Sequence, residues 1–237
     1  MTSSNLQPLT SNHLNTNYAI IVAGGSGTRM QSAIPKQFLL LKGKPVLMHT
    51  IAAFHQTAAH PNIIVVLHAD FHAYWQQLCD EHQFNIPHQL VKGGETRFHS
   101  VKNGLDTIPG DIETVIAVHD AVRPATSTEI IEESFRYASI HGNAITAVKS
   151  RDSVRQLKDG ISVCLVRDEI YLVQTPQTFQ SAQIKKAYLQ PYSTKFTDDA
   201  SVVEDAGFKI HLTEGNYRNI KITFAEDIAI VELLMDL

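Results

Sequence analysis

The stretch AIIVAGGSGTRMQSAIPKQFL (Ala19–Leu39) begins as an apolar strand and then brings three glycines and two cations together within a few residues. Glycine-rich loops after strands expose backbone N–H groups and usually hold phosphate groups. Arg29 can bind phosphate oxygens through its two-pronged guanidinium, whereas Lys36 supplies a mobile point charge. The stretch therefore predicts a phosphate site at the end of the first strand.

Three better-known glycine motifs are excluded by single residues of this loop. A Walker loop and a dinucleotide fingerprint both need a glycine where Met30 stands. The dinucleotide fingerprint also needs an acidic residue about 20 positions further on, and the chain has none before Asp70. A nucleophile elbow needs a glycine at the position of Thr28. A phosphate cradle of another type remains, and this stretch alone also allows a tight turn with two solvated cations.

Short β-branched runs alternate with helical patterns beyond this loop. The predicted strands are Tyr18–Val22, Ile63–Leu67, Gln89–Val91, Thr114–Val118 and Ala144–Val148. The helical patterns are Val46–Gln56, His72–Glu81, Arg97–Leu105 and Ser127–Tyr137. Strand–helix alternation at this spacing predicts an α/β fold with a doubly wound, mostly parallel sheet.

Ligands in such sheets bind at the carboxyl ends of the strands. This rule brings together four loops, namely Ala23–Met30, Lys92–Arg97, His119–Pro124 and Lys149–Ser153. The third loop follows an apolar run and carries Asp120 and Arg123. An aspartate there commonly serves a phosphate-bound Mg²⁺ or a substrate hydroxyl, and helix capping is the alternative. Thr175 in TPQ and Lys221 in NIKIT add a hydroxyl and another cation.

The alternation changes after Ser150, where apolar and polar residues alternate around Lys158-Asp159-Gly160. Asp-Gly between alternating runs predicts a hairpin, and its position after a sheet strand predicts a protruding arm over about residues 150–173. Two helical patterns, a strand and a closing helix follow, over Ser181–Leu189, Thr197–Ala206, Lys209–Thr213 and Phe224–Leu234. We expect one domain over residues 18–237, preceded by a disordered tail over residues 1–17.

Composition excludes several classes of protein. The net charge of −4 over 237 residues argues against nucleic-acid binding, and no apolar run is long enough to span a membrane. The first 69 residues contain four Lys or Arg and no Asp or Glu, which suits a polyanionic ligand. Cys79 and Cys164 lie far apart outside any zinc motif, so we expect reduced thiols. The polar leader lacks signal-peptide and transit-peptide features, which predicts a cytoplasmic protein.

Eight segments in register resemble the 2-C-methyl-D-erythritol 4-phosphate cytidylyltransferase family of the non-mevalonate isoprenoid pathway. They are AGGSGTRM, PKQ, GGETR with Ser100-Val101, HDAVRP, RDS, LVQTPQ, TDDAS and NIKIT. The resemblance implies a Rossmann-like nucleotidyltransferase that forms a homodimer through its hairpin arms. It also implies transfer of CMP from CTP to methylerythritol phosphate in the presence of Mg²⁺, with release of pyrophosphate.

The resemblance also implies roles for individual residues. Arg29, Lys36, Lys221 and Asp120 are the expected catalytic set. The expected CTP-binding residues are Ala23, Gly24, Gly25, Gly27, Gly94, Glu95, Ser100 and Ala121. The expected acceptor-binding residues are Asp120, Arg123, Thr175 and Lys221, joined by Ser153 and Arg167 of the partner subunit. We expect the triphosphate to hold most of the Mg²⁺ ligands, with Asp120 as the one candidate from the chain.

Three alternatives remain open from the sequence. A ribitol 5-phosphate cytidylyltransferase shares several of these motifs and differs in the acceptor alcohol. Another sugar-phosphate nucleotidyltransferase would share the loop and accept an anomeric phosphate. A regulator that binds CTP without turnover would leave Lys36, Asp120 and Lys221 without a chemical task.

Overall fold

The computed structural model describes residues 17–24, 34–110 and 112–236. Its strands are β1 (Tyr18–Val22), β2 (Leu40–Leu41), β3 (Lys44–Pro45), β4 (Asn62–Leu67), β5 (Gln89–Lys92), β6 (Val115–Asp120), β7 (Asn143–Lys149), β8 (Arg155–Lys158), β9 (Ile161–Cys164), β10 (Tyr171–Gln180) and β11 (Leu212–Glu214). Its helices are α1 (Val46–His55), α2 (His72–Glu81), α3 (Arg97–Leu105), α4 (Thr128–His141), α5 (Ser181–Ala187), α6 (Asp199–Asp205) and α7 (Glu226–Leu234).

A central sheet with the order β11-β7-β10-β6-β1-β4-β5 joins seven of the described strands. Every neighbouring pair is parallel except the two pairs that β10 makes with β6 and β7. The predicted α/β fold with a mostly parallel sheet is confirmed. The antiparallel central strand β10 was not predicted, because Pro176 and the flanking glutamines interrupt its apolar pattern. A shift of register between Val173 and Gln177 accommodates this irregular part of the strand.

Helices cover both faces of the sheet, and the side chains of β1 alternate between the two layers. Ala19 and Ile21 belong to the core on the side of α1, α2 and α4, whereas Ile20 belongs to the core on the side of α3, α5 and α6. All three residues are fully buried. Burial on both faces explains why the strand is continuously apolar.

Local signals determine the ends of the helices. The bounds predicted for α2 and α3 match the structure, and the side chain of Thr96 caps α3 by accepting from the His99 N–H. α4 runs four residues further than predicted, to His141, and ends where Gly142 adopts a φ of 95°. β11 begins at Leu212, three residues later than predicted, so residues 209–211 precede the strand.

The predicted hairpin turn is present at Asp159-Gly160. β8 and β9 pair across it in a two-stranded sheet of their own, and both turn residues have positive φ, 51° and 79°. Such angles define the turn that matches the twist of a hairpin. The predicted tail lies outside the described residues except for Asn17, whose side chain donates to the Ala59 carbonyl at 3.0 Å. In the described part of the chain, none of the helices has the length and apolar character needed to cross a membrane.

Candidate active site

A cleft of about 340 Å³ opens at the carboxyl ends of the central strands. The register of the sheet creates it, because the last residues of β1 and β6, Val22 and Asp120, are direct neighbours. The lining residues include Ala23, Gly24, Lys36, Gly94, Glu95, Arg97, Ser100, Asp120, Ala121 and Lys221. Described residues of three of the four loops predicted to meet therefore line the cleft, Ala23 and Gly24 among them, whereas residues 149–153 do not.

Glycines give the cleft one flat wall. The Gly94 N–H donates to Ser100 Oγ at 3.1 Å, and a Cβ on Gly94 would overlap His99. A Cβ on Gly24 would lie 3.2 Å from Ser100 Oγ, so the two glycine segments approach each other closely across the Ser100 side chain. Glu95 is exposed at the rim. The wall presents backbone rather than side chains, which suits a planar base.

Asp120 lies beside three cations. Its Oδ2 is 2.8 Å from Lys221 Nζ and 3.5 Å from Arg123 Nε, and its Oδ1 is 3.7 Å from Arg97 Nε. Burial alone would raise the pKa of Asp120, but the charges of Arg97, Lys221 and Arg123 outweigh burial and hold it well below its usual range. Asp120 is therefore ionised at neutral pH, and the cluster around it carries an excess of positive charge.

Asn219 organises the side of the cluster that contains Thr175 and Arg123. Its side-chain Nδ2 donates to the Thr175 carbonyl at 2.8 Å, and its own carbonyl accepts from Arg123 Nη1 at 2.7 Å. The backbone N–H of Asp120 in turn donates to Thr175 Oγ1 at 3.1 Å. Asn219 was not predicted as a site residue, although it is the first residue of the NIKIT segment.

Lys36 reaches the cleft from a short 3₁₀ helix over Lys36–Phe38. Its Nζ donates to the Ile222 carbonyl at 3.0 Å, next to Lys221 in sequence. Gln37 fixes the same turn to the end of β1 by donating from Nε2 to the Ala23 carbonyl at 2.8 Å. The predicted residues Gly25, Gly27 and Arg29 lie outside the described residues.

Arg97 and Asp199 form an ion pair in the cleft wall that was not predicted. The guanidinium donates from Nη1 and Nη2 to the two carboxylate oxygens at 2.9 and 2.5 Å. Burial alone would lower the pKa of Arg97, but Asp199 and Asp120 more than compensate and raise it above its usual value. Both residues lie in segments that carry the family resemblance, GGETR and TDDAS. The sequence of these segments does not predict that two residues 102 positions apart form an ion pair.

His119 lies directly behind Asp120 and is fully buried. Burial lowers the pKa of His119 to about 4, although the Asp120 carboxylate acts in the opposite direction. Its Nε2 is 3.3 Å from the Arg123 carbonyl, and its ring meets Phe54 edge to face with centroids 4.9 Å apart. His119 is therefore neutral at physiological pH and supports the turn that carries Asp120 and Arg123.

Ser153 and Arg167 lie outside the cleft of their own chain. Both are exposed, and Arg167 Nε is 3.8 Å from Oδ1 of its sequence neighbour Asp168. The hairpin β8–β9 lies between them in sequence. The structure therefore brings together Lys36, Asp120, Arg123, Thr175 and Lys221, and leaves Ser153 and Arg167 on the arm.

A wall of glycine backbone beside clustered cations, at the carboxyl ends of a mostly parallel sheet, is the kind of site in which a nucleotidyltransferase binds a nucleoside triphosphate. The sequence model of the 2-C-methyl-D-erythritol 4-phosphate cytidylyltransferase family matches residues 18–236. The chain belongs to this family. The resemblance seen in the eight segments is thereby confirmed, and it is favoured over the ribitol 5-phosphate alternative.

Individual relatives agree with the family match. The 2-C-methyl-D-erythritol 4-phosphate cytidylyltransferase of Bacteroides thetaiotaomicron is 48% identical over 218 residues, which cover 91% of this chain and 98% of the relative. The enzyme of the same name from Porphyromonas gingivalis is 45% identical over 92% of this chain and 97% of its own.

Solved structures agree as well. The 4-diphosphocytidyl-2C-methyl-D-erythritol synthase of Anaerococcus prevotii superimposes with a TM-score of 0.80 at 28% identity, over 94% of this chain and 97% of that chain. The 2-C-methyl-D-erythritol 4-phosphate cytidylyltransferase of Francisella tularensis superimposes with a TM-score of 0.76 at 32% identity, over 92% of this chain and 99% of that chain.

Proposed function

We propose that the chain transfers CMP from CTP to 2-C-methyl-D-erythritol 4-phosphate and releases 4-diphosphocytidyl-2-C-methyl-D-erythritol and pyrophosphate. Family membership supports the reaction. The observation that carries the site assignment is the convergence of Lys36, Lys221, Arg123 and Arg97 around Asp120, beside a wall of glycine backbone. The product serves the non-mevalonate isoprenoid pathway.

The acceptor supplies its own nucleophile. A phosphate monoester has a second pKa of about 6, so it is a dianion at neutral pH and needs no general base. The difficulty is to bring this dianion onto a triphosphate of the same sign. Lys36 and Arg29 on the nucleotide side and Lys221 on the acceptor side would stabilise the charge that builds up during in-line transfer.

The remaining assignments are those that the family resemblance implies. Ala23, Gly24, Gly94, Glu95, Ser100 and Ala121 would bind the nucleotide of CTP, together with Gly25 and Gly27. Asp120, Arg123, Thr175 and Lys221 would bind the acceptor. Support comes from the contacts that join Thr175, Arg123 and Lys221 to Asp120.

Mg²⁺ is part of the proposal. Bound to a triphosphate, Mg²⁺ would neutralise negative charge on the phosphates and on the pyrophosphate that leaves. The described residues contain no group of three or more His, Cys, Asp or Glu arranged to hold a metal. The chain's fitting donor is Asp120 Oδ1, which lies 3.7 Å from Arg97 and so remains able to accept another partner. We therefore assign most of the ligands to the nucleotide.

The arm is proposed to complete the cleft of a partner subunit in a homodimer. Support comes from its exposed apolar side chains, among them Leu157, Ile161 and Val163, which are 74%, 68% and 51% exposed. Ser153 and Arg167 of the partner subunit would then reach the acceptor. We also propose a cytoplasmic location, where Cys79 and Cys164, both unpaired in the structure, stay reduced.

Release of pyrophosphate tests the reaction directly. We expect release only when CTP, Mg²⁺ and methylerythritol 4-phosphate are all present, and much slower release with ATP, GTP or UTP. Ribitol 5-phosphate and a sugar 1-phosphate serve as alternative acceptors. Equal turnover with ribitol 5-phosphate would contradict the proposed identity of the acceptor. Binding of CTP without turnover of any acceptor would contradict the proposal that the chain is an enzyme.

A further inference from the structure

We infer that Asp199 is a positioning residue, which binds the guanidinium of Arg97 and thereby leaves the carboxylate of Asp120 available to the acceptor. The inference rests on the proposed role of Asp120 in acceptor binding. Asp199 has no role in the proposed chemistry, and Arg97, which lines the cleft, has been given a role there only as one of the cations around Asp120.

The contacts of Arg97 are unequal. Both terminal nitrogens of its guanidinium are bonded to Asp199, at 2.9 and 2.5 Å, while only Nε faces Asp120, at 3.7 Å. A distance of 3.7 Å is too long for a hydrogen bond. Arg97 therefore acts on Asp120 by charge alone, and its directional hydrogen bonds go to Asp199.

Asp199 is held firmly enough to keep that arrangement. Its side chain is fully buried, and Tyr188 Oη donates to its Oδ1 at 2.6 Å. The ring of Tyr188 stacks on Phe98, with centroids 4.7 Å apart. Gln177 anchors the start of α6 to β10, because its Oε1 accepts from the Ala200 N–H at 2.8 Å.

Loss of the Asp199 charge would change the partner of Arg97. A partly buried guanidinium that loses its carboxylate partner is destabilised, and an arginine prefers a bidentate carboxylate when one is within reach. Asp120 is the carboxylate within reach, because its Oδ1 already lies near Nε. With the guanidinium bound there in addition to Lys221 and Arg123, Asp120 would have little capacity left for an acceptor hydroxyl.

The test compares Asp199→Asn with the double variant Arg97→Gln/Asp199→Asn. Asparagine keeps the shape of Asp199 but removes its charge, so Arg97 is released and we expect the KM for the acceptor to rise about tenfold. The KM for CTP should change less than about twofold, since the glycine wall is untouched. In the double variant no guanidinium remains to bind Asp120, so the acceptor KM should return to within about threefold of wild type.

If the ion pair were merely structural, removing Arg97 in addition to the Asp199 charge would not restore the acceptor KM. An acceptor KM in the double variant as high as in Asp199→Asn would overturn the inference, because Arg97 would then be needed for itself. A parallel rise in the KM for CTP would also overturn it, because the pair would then position the nucleotide.

Two further variants keep the test decisive. Tyr188→Phe removes one hydrogen bond to Asp199 while keeping the stacked ring, so it should stay folded and raise the acceptor KM about threefold. No rise in this variant contradicts the inference even if Asp199→Asn fails to fold. Asp120→Asn should raise the acceptor KM in every background. If it does not, the proposed role of Asp120 is wrong, which is a different failure from that of Asp199.

Discussion

The cleft and the arm of this enzyme differ in how far their side chains are buried and in which partners their charges have. In the cleft, Asp120 and Asp199 are buried and each is bonded to cations of the same chain. On the arm, all of β8 and β9 is exposed, and Arg167 is close only to its neighbour Asp168 among the ion pairs of the described residues. The cleft pairs its buried carboxylates within one subunit, whereas the hairpin β8–β9 exposes its apolar side chains and Arg167 makes no long-range ion pair among the described residues.

This difference supports the proposal that one chain organises only part of the site. Exposed apolar side chains grouped on one excursion are typical of surfaces that bind another protein. Arg167 lies on the same arm and would therefore lie at the surface that the arm binds. The comparison therefore supports a division of labour, in which the cleft provides the nucleotide site and the arm of a second copy completes the acceptor site.

Removal of Lys36 should have the largest effect on the cleft. We expect Lys36→Ala to lower kcat by about 10²–10³, because one preorganised charge at the transferring phosphate is lost. Affinity for CTP should fall much less, since the backbone donors remain. Steady-state kinetics with varied CTP and acceptor measure both quantities.

Lys44→Ala is the matched control, because Lys44 is exposed on β3 outside the cleft and should tolerate the change. A variant of Lys36 that binds CTP more weakly while kcat is unchanged would show that Lys36 serves the ground state only. The cleft would then stabilise nucleotide binding and leave transfer to other residues.

The buried His119 behind the cleft predicts that the free energy of unfolding depends on pH. The pKa of His119 is lowered to about 4 by burial, whereas an unfolded histidine has a pKa of about 6.5. Between these values the unfolded chain binds a proton that the folded chain does not, so the free energy of unfolding falls as the pH falls, by about 3 kcal/mol in total. His119→Gln should flatten this dependence, which thermal unfolding at pH 7 and pH 4.5 measures. Equal losses in wild type and variant would show that His119 is not buried and neutral.

The smallest expected effect belongs to a single residue of the arm. Ile161→Glu places a charge on an apolar, exposed position of β9, and we expect the dimer to weaken by about 2 kcal/mol, or about 30-fold in Kd. Analytical ultracentrifugation over a dilution series measures it. Leu189→Glu is the control, since Leu189 is 79% exposed after α5 and does not belong to the hairpin β8–β9. A wild-type protein that is monomeric at assay concentration would refute the proposed dimer.

Local sequence signals predicted much of the fold and the parts of the site that follow strands. β1, α2 and α3 were predicted to the residue, because apolar spacing and capping residues act over a few positions. Asp120 was placed by the rule that ligands meet the carboxyl ends of parallel strands. Lys36 was singled out as a cation that follows the glycine-rich loop, and Lys221 as the cation of the NIKIT segment.

Long-range pairing could not be predicted in the same way. The strand β10 joins the centre of the sheet although Pro176 interrupts its pattern, because both faces there are covered by other elements. Arg97 meets Asp199 only after α3 and α6 have packed on the same face of the sheet. Asn219 was not predicted as a site residue, and the fold buries it completely. In each case the tertiary structure supplies the partner.

The proposed division of labour is tested most directly by mixing two inactive homodimers. Lys36→Ala disables the cleft and Arg167→Ala disables the arm, so each homodimer should be nearly inactive. In a mixed dimer, one site combines an intact Lys36 with an intact Arg167 of the partner subunit. The other site carries both lesions. After complete exchange of an equal mixture we expect about a quarter of wild-type activity to return. No recovery, although mass spectrometry shows mixed dimers, would contradict the account, because the arm would then serve its own subunit or have no part in transfer.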